Sequence, residues 1–190
     1  MSDDDIQQRI LDAAADCFLH SGPSARLHHV IADRAGVSRP TVYKHVGDQK
    51  AIIEALLHRE LGRFLTAVQP VTARRGPLRD RFIDTVVFAV SYARGHALLQ
   101  RMLRDEPQIV LPWLTTNAAP ALERVLAAIG PDTRHHPDGT HAVSPKTIVE
   151  WQTRLVISLV TTPSVVTDLY QPRKLRRYVA DLLDIGMARG

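Results

Sequence analysis

The chain has 190 residues, which suits one medium-sized domain or a small domain attached to a larger one. Its hydrophobic content of 45% is ordinary for a globular protein with its own core, and its formal net charge of +4 is compatible with nucleic-acid binding. The single cysteine, Cys17, excludes an intrachain disulfide and indicates a reducing, cytoplasmic compartment. The acidic N-terminus precedes no long apolar run, so we expect neither a signal peptide nor a membrane span.

Apolar residues recur at helical spacing along nearly the whole chain, and hardly any stretch alternates as a strand would. The first stripe includes Ile10, Cys17 and Phe18, which favours a buried cysteine over a reactive thiol. Asp48 is placed to cap a long fourth helix that links two lobes and stops near Pro70. The predicted helices of this part cover about residues 4–20, 28–35, 39–45 and 48–70.

Residues 31–46 have the pattern of two short helices joined by a tight turn. Gly36 stands where the chain must leave the first helix and where a positive φ is favoured. Ser38 suits the N-cap of the second helix, and Pro40 fits its first turn. The small or apolar residues expected to face inward are Ala32, Val37 and Val42. The pattern predicts a helix-turn-helix whose second helix enters a DNA major groove.

Positive charge gathers around this segment. Residues 26–50 contain five lysines or arginines and two acids, with three histidines beside them. Phosphate contact requires such a distribution, although a solvated charged face explains it equally well.

The C-terminal part is predicted to be helical throughout, apart from the segment 130–145. Its helices cover about residues 78–95, 96–104, 109–116 with a kink or break at Pro112, 119–129, 145–162 and 171–188. The segment 130–145 is rich in proline and glycine and is expected to be a loop. Its histidines His135, His136 and His141 have no acid or thiol framework on a rigid element, so no metal site is predicted.

The last two helices are candidates for a dimer interface. The helix over 145–162 carries Trp151 and is apolar nearly all round, so it must be covered on most sides. The final helix places apolar residues opposite a basic face formed by Arg173, Lys174, Arg176 and Arg177. Two such helices from each protomer would form a four-helix bundle, although both could also complete the core of a monomer.

Residues 9–57 resemble the TetR family of bacterial transcriptional regulators. The segments that carry the resemblance are ILDAAADCF, Gly22, IADRAGVS and TVYKHVGDQKAIIEALL, in that order and spacing. The resemblance implies an all-α protein, with an N-terminal three-helix helix-turn-helix domain over 1–47 and a larger helical effector-binding and dimerisation domain over 48–190. It further implies a homodimer that binds operator DNA as a repressor and is released by a small-molecule effector.

Four positions depart from the family pattern. Leu27 stands where a capping threonine or serine is usual, with Ser24 as the other candidate cap, and His28 stands where an apolar residue is usual. Val46 replaces a common aromatic residue, and Gln49 replaces a common lysine. Lys50 is adjacent to Gln49 but points about 100° away around a helix.

The predicted DNA contacts lie on and around the second helix of the motif. Arginine and lysine pair with guanine edges, and threonine contacts a base or a thymine methyl group. Tyrosine, histidine and a capping serine are expected on phosphates. These residues are Ser38, Arg39, Thr41, Tyr43, Lys44, His45, Lys50 and His28.

An effector site is expected in the second lobe, built from aromatic and apolar residues with a few polar anchors, although each residue also suits a plain core. Its predicted members are Phe88, Tyr92, Met102, Trp113, Asn117, Trp151 and Gln152. This composition favours a hydrophobic or amphipathic molecule, and no cofactor is predicted.

Other functions are less well supported by the sequence. An enzyme is not predicted, because no nucleophile, base and orienting acid occur at recognisable spacing and no glycine-rich phosphate loop is present. Two alternatives remain open: a DNA-binding protein without an effector, and a small-molecule binding protein with a decayed DNA-binding head.

Overall fold

The structure, a computed structural model, describes residues 2–23, 27–129 and 143–187, and within these ranges the chain is all helical. The predicted all-α fold is confirmed. Ser24 and the three histidines His135, His136 and His141 lie outside the described residues. The helices are α1 Asp3–Ser21, α2 His28–Ala35, α3 Arg39–His45, α4 Gln49–Thr72, α5 Leu78–Gly95, α6 Ala97–Asp105, α7 Pro107–Leu114, α8 Ala119–Ile129, α9 Pro145–Thr161 and α10 Pro172–Met187.

The helix boundaries follow local capping chemistry. The side chains of Ser2, Ser38 and Ser144 each accept a backbone N–H in the first turn of α1, α3 and α9. Asp48 caps α4 as predicted, because its Oδ1 accepts the backbone N–H of Ala51 at 2.9 Å. The helix α4 continues past Pro70, where it is predicted to stop, and α7 runs through Pro112 without the break that was one of the two predicted outcomes there. Both prolines lie near a helix end, where few backbone hydrogen bonds remain to be lost.

The chain divides into two compact units, and the first is discontinuous in sequence. The first unit comprises Met1–Arg63 and His96–Thr115, and the second comprises Phe64–Gly95 and Thr116–Gly190. These packing units differ from the predicted division at residue 47, because the first part of α4 and the helices α6 and α7 pack with the helix-turn-helix segment. The predicted division of roles between 1–47 and 48–190 stays a prediction.

The core of the first unit joins all of its helices. Phe18 of α1, Ile31 of α2 and Val42 of α3 are fully buried together, and Met102 of α6 and Val110 of α7 belong to the same cluster. Truncating a buried phenylalanine to alanine costs about 3–5 kcal/mol. The orientation of α3 therefore depends on apolar contacts that reach as far along the chain as α7.

A polar cluster of the first unit surrounds Glu60 of α4. Its carboxylate accepts hydrogen bonds from Arg59 Nε at 3.1 Å, Arg63 Nη1 at 3.0 Å and His96 Nε2 at 3.2 Å. The other ring nitrogen of His96 accepts the backbone N–H of Leu99 at 3.2 Å, which caps α6. Because Nδ1 accepts, Nε2 carries the proton that it donates to Glu60. Glu60 thus ties the start of α6 to α4.

The core of the second unit is built from α5, α9 and α10. Val86 and Val90 of α5 pack with Leu159 of α9 and with Leu175 and Val179 of α10. None of the described helices combines the length and apolar character needed to cross a bilayer.

Candidate nucleic-acid interface

The turn between α2 and α3 is held by backbone geometry that requires glycine. Gly36 adopts the left-handed conformation, with φ 63° and ψ 40°, and its N–H bonds back to the carbonyls of Ala32 and Asp33. The guanidinium of Arg9 donates to the carbonyl of Ala35, another acceptor that the helix end leaves free. A Cβ at position 36 would lie 2.9 Å from Arg9 Nη2. The positive φ predicted for Gly36 is confirmed, and α1 braces this turn through Arg9.

The start of α3 is fixed by Ser38. Its Oγ accepts the backbone N–H of Thr41 at 3.2 Å and lies 2.7 Å from Thr41 Oγ1. The hydroxyl of Thr41 is therefore engaged with the cap. Val42 is fully buried and sets which face of α3 points outward.

The start of α2 has a buried apolar residue in place of a side-chain cap. Leu27 is 7% exposed, belongs to the core and makes no capping hydrogen bond. His28 follows, and its ring stacks on Tyr43 of α3, with ring centroids 4.8 Å apart and planes 7° from parallel. The first turn of α2 thus contacts the second helix of the motif through a ring pair.

The outward face of α3 presents uncompensated positive charge. Arg39 and Lys44 are exposed and have no ion-pair partner within the part of the chain that the structure describes. Tyr43 is 53% exposed, whereas His45 is half-buried. Lys50 is exposed and pairs weakly with Glu54, at 3.9 Å between Nζ and Oε1. Free cationic side chains around a helix-turn-helix are what contact with phosphates needs.

Arg39, Tyr43 and Lys50 line a shallow groove of about 440 Å³ between the starts of α2 and α4 and the face of α3. Three of its members, His29, Asp48 and Gln49, are not among the predicted DNA contacts. The amide of Gln49 donates to the carbonyl of Pro23, so this residue braces the chain ahead of α2. Because Gln49 and Pro23 are 26 residues apart, their hydrogen bond leaves no periodic pattern in the sequence. The lining residues are His28, His29, Arg39, Tyr43, Asp48, Gln49 and Lys50.

The predicted effector residues fall in both units. Met102 is 2% exposed in the core of the first unit, and Trp113 meets His58 edge-on in that unit, with ring centroids 6.1 Å apart. In the second unit, Phe88 and Tyr92 are ring neighbours at 6.1 Å. Because Met102 is buried among core residues of the first unit, the structure gives it a packing role.

The remaining predicted effector residues lie in the second unit. Trp151 packs on Phe82 at 4.7 Å between centroids, and Gln152 Nε2 donates to the carbonyl of Phe82 at 3.4 Å. Asn117 is exposed in the turn before α8. Of the seven residues, Phe88 and Tyr92 contact each other, whereas Trp113, Trp151 and Gln152 contact residues outside the predicted set, so an effector pocket stays a prediction. Among the described residues no group of histidine, cysteine and carboxylate side chains could hold a metal ion.

Together the turn, the capped second helix and its basic outward face define a helix-turn-helix protein. Residues 10–56 match the sequence model of the bacterial regulatory proteins of the tetR family. The predicted resemblance to the TetR family is thus confirmed over residues 10–56.

A relative and two solved structures extend this similarity. An uncharacterised HTH-type transcriptional regulator of Mycobacterium bovis is 34% identical over 108 residues, which make up 56% of this chain and 55% of the relative. The chain thus spans about half the length of the curated relatives that it matches.

The TetR-family repressor AlkX of Dietzia sp., implicated in biodegradation of n-alkanes, has a TM-score of 0.66 at 17% identity and covers 95% of this chain and 97% of its own. The regulator FadR of Bacillus subtilis, in complex with stearoyl-CoA, has a TM-score of 0.57 at 17% identity and covers 93% of this chain and 96% of its own. These likenesses show a shared fold.

Proposed function

We propose that this protein is a cytoplasmic transcriptional repressor that binds operator DNA as a homodimer and is released by a hydrophobic or amphipathic small molecule. The observation that carries the proposal is the exposed, unpaired basic face of α3, held outward by the burial of Val42. An enzymatic role has no comparable support among the described side chains.

In this proposal the residues of α3 divide between bases and phosphates. Arg39 and Lys44 reach base edges, with Thr41 beside them presenting its methyl group, since its hydroxyl is held by Ser38. The phosphate contacts fall to Ser38, Tyr43, His45 and Lys50, and His28 belongs to the same surface. Lys50 takes the place of the lysine that Gln49 replaces, because Gln49 is engaged with Pro23 while the ammonium of Lys50 remains exposed.

DNA binding is tested by fluorescence anisotropy with fragments from the protein's own promoter region. We expect Arg39→Ala and Lys44→Ala each to weaken specific binding by about 1–3 kcal/mol, and Lys50→Ala, which removes a phosphate contact, to flatten the salt dependence of binding by about one unit of slope. Arg104→Ala is the matched control, because this exposed arginine of α6 pairs with Asp105 and does not line the groove. Absence of specific binding by the wild type to any genomic fragment would refute the repressor proposal.

The effector proposal rests on the aromatic side chains of the second unit. Phe64, Phe88 and Tyr92 form a chain of ring contacts at 5.4 and 6.1 Å, and Trp151 is 48% exposed beside Phe82. Such rings suit an apolar ligand. Two proteins of similar fold are the repressor AlkX, implicated in biodegradation of n-alkanes, and the regulator FadR in complex with stearoyl-CoA. The n-alkanes and the stearoyl group both consist of an unbranched hydrocarbon chain.

The effector is sought by adding stearoyl-CoA, or n-hexadecane in detergent, to the preformed protein–DNA complex. Release by either probe at concentrations that leave Tyr92→Ala bound to DNA supports the proposal. Free coenzyme A and detergent alone are the controls. Binding to DNA that no hydrophobic probe reverses favours the alternative of a DNA-binding protein without an effector.

The homodimer is proposed through α9 and α10. Most of the large hydrophobic side chains that the described chain leaves exposed lie in or beside these helices, including Trp151, Tyr170 and Ile185. A dimer would place two α3 helices at half-sites about 34–36 Å apart. Light scattering at micromolar concentration is expected to show a dimer that Ile185→Glu dissociates, whereas a wild-type monomer contradicts this assignment.

A further inference from the structure

The first turn of α2 supplies a side chain that acts on the DNA-facing surface through a neighbour. We propose that His28 is a positioning residue, whose ring holds the ring of Tyr43 so that the phenol hydroxyl is preset for a DNA phosphate. The inference rests on the proposed DNA-binding function. It gives His28, which stands where the TetR pattern usually has an apolar residue, the task of orienting Tyr43.

The ring geometry is that of a favourable aromatic pair. The ring planes are 7° from parallel and the centroids are 4.8 Å apart. Aromatic carbons touch at about 3.5–4.0 Å, so the two rings must be laterally offset, the arrangement that aromatic pairs prefer to a face-to-face sandwich. An aliphatic side chain at position 28 could contact Tyr43 but could not present a parallel ring face.

Hydrogen bonding does not explain where the His28 ring lies. Its Nε2 is buried and finds no hydrogen-bond partner within the described ranges. The contact with Tyr43 is thus the specific interaction that the structure records for this ring.

The stack leaves the other side of Tyr43 open. Tyr43 is 53% exposed and lines the groove together with Arg39 and Lys50. A tyrosine on a helix surface otherwise samples several rotamers and loses that freedom when it binds. Holding one rotamer in the free protein removes part of this cost, so His28 strengthens DNA binding without touching DNA.

The test combines three variants in a DNA-binding assay at fixed salt. We expect His28→Ala to weaken binding about two- to ten-fold, the range of aromatic pair interactions, and His28→Phe to recover most of the loss because it restores a stacking ring. His20→Ala is the control, since this exposed histidine of α1 does not line the groove. Circular dichroism checks that each variant is folded.

The decisive comparison is made in a Tyr43→Phe background, which keeps the stack and removes the hydroxyl. If His28 acts by placing that hydroxyl, His28→Ala has little further effect there. An equal loss in both backgrounds would mean a general structural role and overturns the inference, as does wild-type affinity of His28→Ala or a failure of His28→Phe to recover. A wild type that binds no DNA instead refutes the proposed function itself, and the inference with it.

Discussion

Replacing Glu60 by glutamine tests the polar cluster of the first unit. The Glu60 side chain is 16% exposed and accepts three hydrogen bonds from groups that are charged or polar. A hydrogen bond to a charged group contributes about 1.5–3 kcal/mol, and glutamine turns an amide N–H₂ toward donors. Arg59 keeps its ion pair with Asp12 at 2.8 Å, which limits the damage. We expect Glu60→Gln to lower the free energy of unfolding by about 2–3 kcal/mol at neutral pH.

The pH dependence of this loss follows from the pKa of Glu60. Burial raises that pKa, but the hydrogen bonds from His96 and Arg59 and the nearby arginine charges together lower it more, so it lies below its ordinary value of 4.5. A lowered folded-state pKa contributes stability above the unfolded pKa, and this stability is lost as the pH falls through the folded pKa. The difference between wild type and Glu60→Gln should therefore be full at neutral pH and shrink below a pH of about 4.5.

Urea denaturation followed by circular dichroism measures this difference at several pH values. Glu54→Gln is the matched control, because Glu54 lies on the same helix in an exposed pair with Lys50 at 3.9 Å and should cost less than about 1 kcal/mol. The reasoning is refuted if the two variants lose equal stability at neutral pH, or if the Glu60→Gln loss persists unchanged in acid.

Three further predictions concern the first unit. Ser38→Ala should cost about 1 kcal/mol of stability through the lost cap of α3 and weaken DNA binding, which urea denaturation and anisotropy measure; unchanged stability contradicts the capping role. Gly36→Ala should cost about 1–2 kcal/mol because alanine is strained at positive φ, whereas the control Gly95→Ala, whose Cβ meets nothing within 4 Å, should be nearly neutral in the same denaturation assay. Burial raises the pKa of the Cys17 thiol, so a thiol reagent at mildly alkaline pH should modify it only after urea unfolding; rapid labelling of the native protein would refute its place in the core.

The sequence predicted the helices well because their boundaries are set by neighbours in the chain. Ser38 bonds to a backbone group three residues away, and so does Asp48, so the residue type at each position carried the information. Pro70 and Pro112 were harder to interpret, because the effect of a proline depends on how much helix remains beyond it.

The predicted DNA contacts include four residues that line the groove, namely His28, Arg39, Tyr43 and Lys50, and their role in DNA binding stays a prediction. Arg39 and Lys44 were expected on the outward face of α3, where the structure shows them exposed. The stacking of His28 on Tyr43 and the bond from Gln49 to Pro23 join residues distant in sequence, and no local pattern encodes such pairs. Met102 was assigned to an effector site because apolar spacing does not reveal which of two cores a helix joins.

Because the first unit is built from two separate segments of the chain, it cannot be completed early in synthesis on the ribosome. Core residues beside the helix-turn-helix come from α6 and α7, so that core cannot close until the chain has been synthesised past residue 115. Until then the newly synthesised helices α1, α2 and α3 expose the apolar faces that Leu98, Met102 and Val110 later cover. Exchange of DNA-binding domains between related proteins faces the same constraint. A graft cut after α3 would leave those faces open, whereas one that carries residues 1–63 together with 96–115 transfers the whole unit.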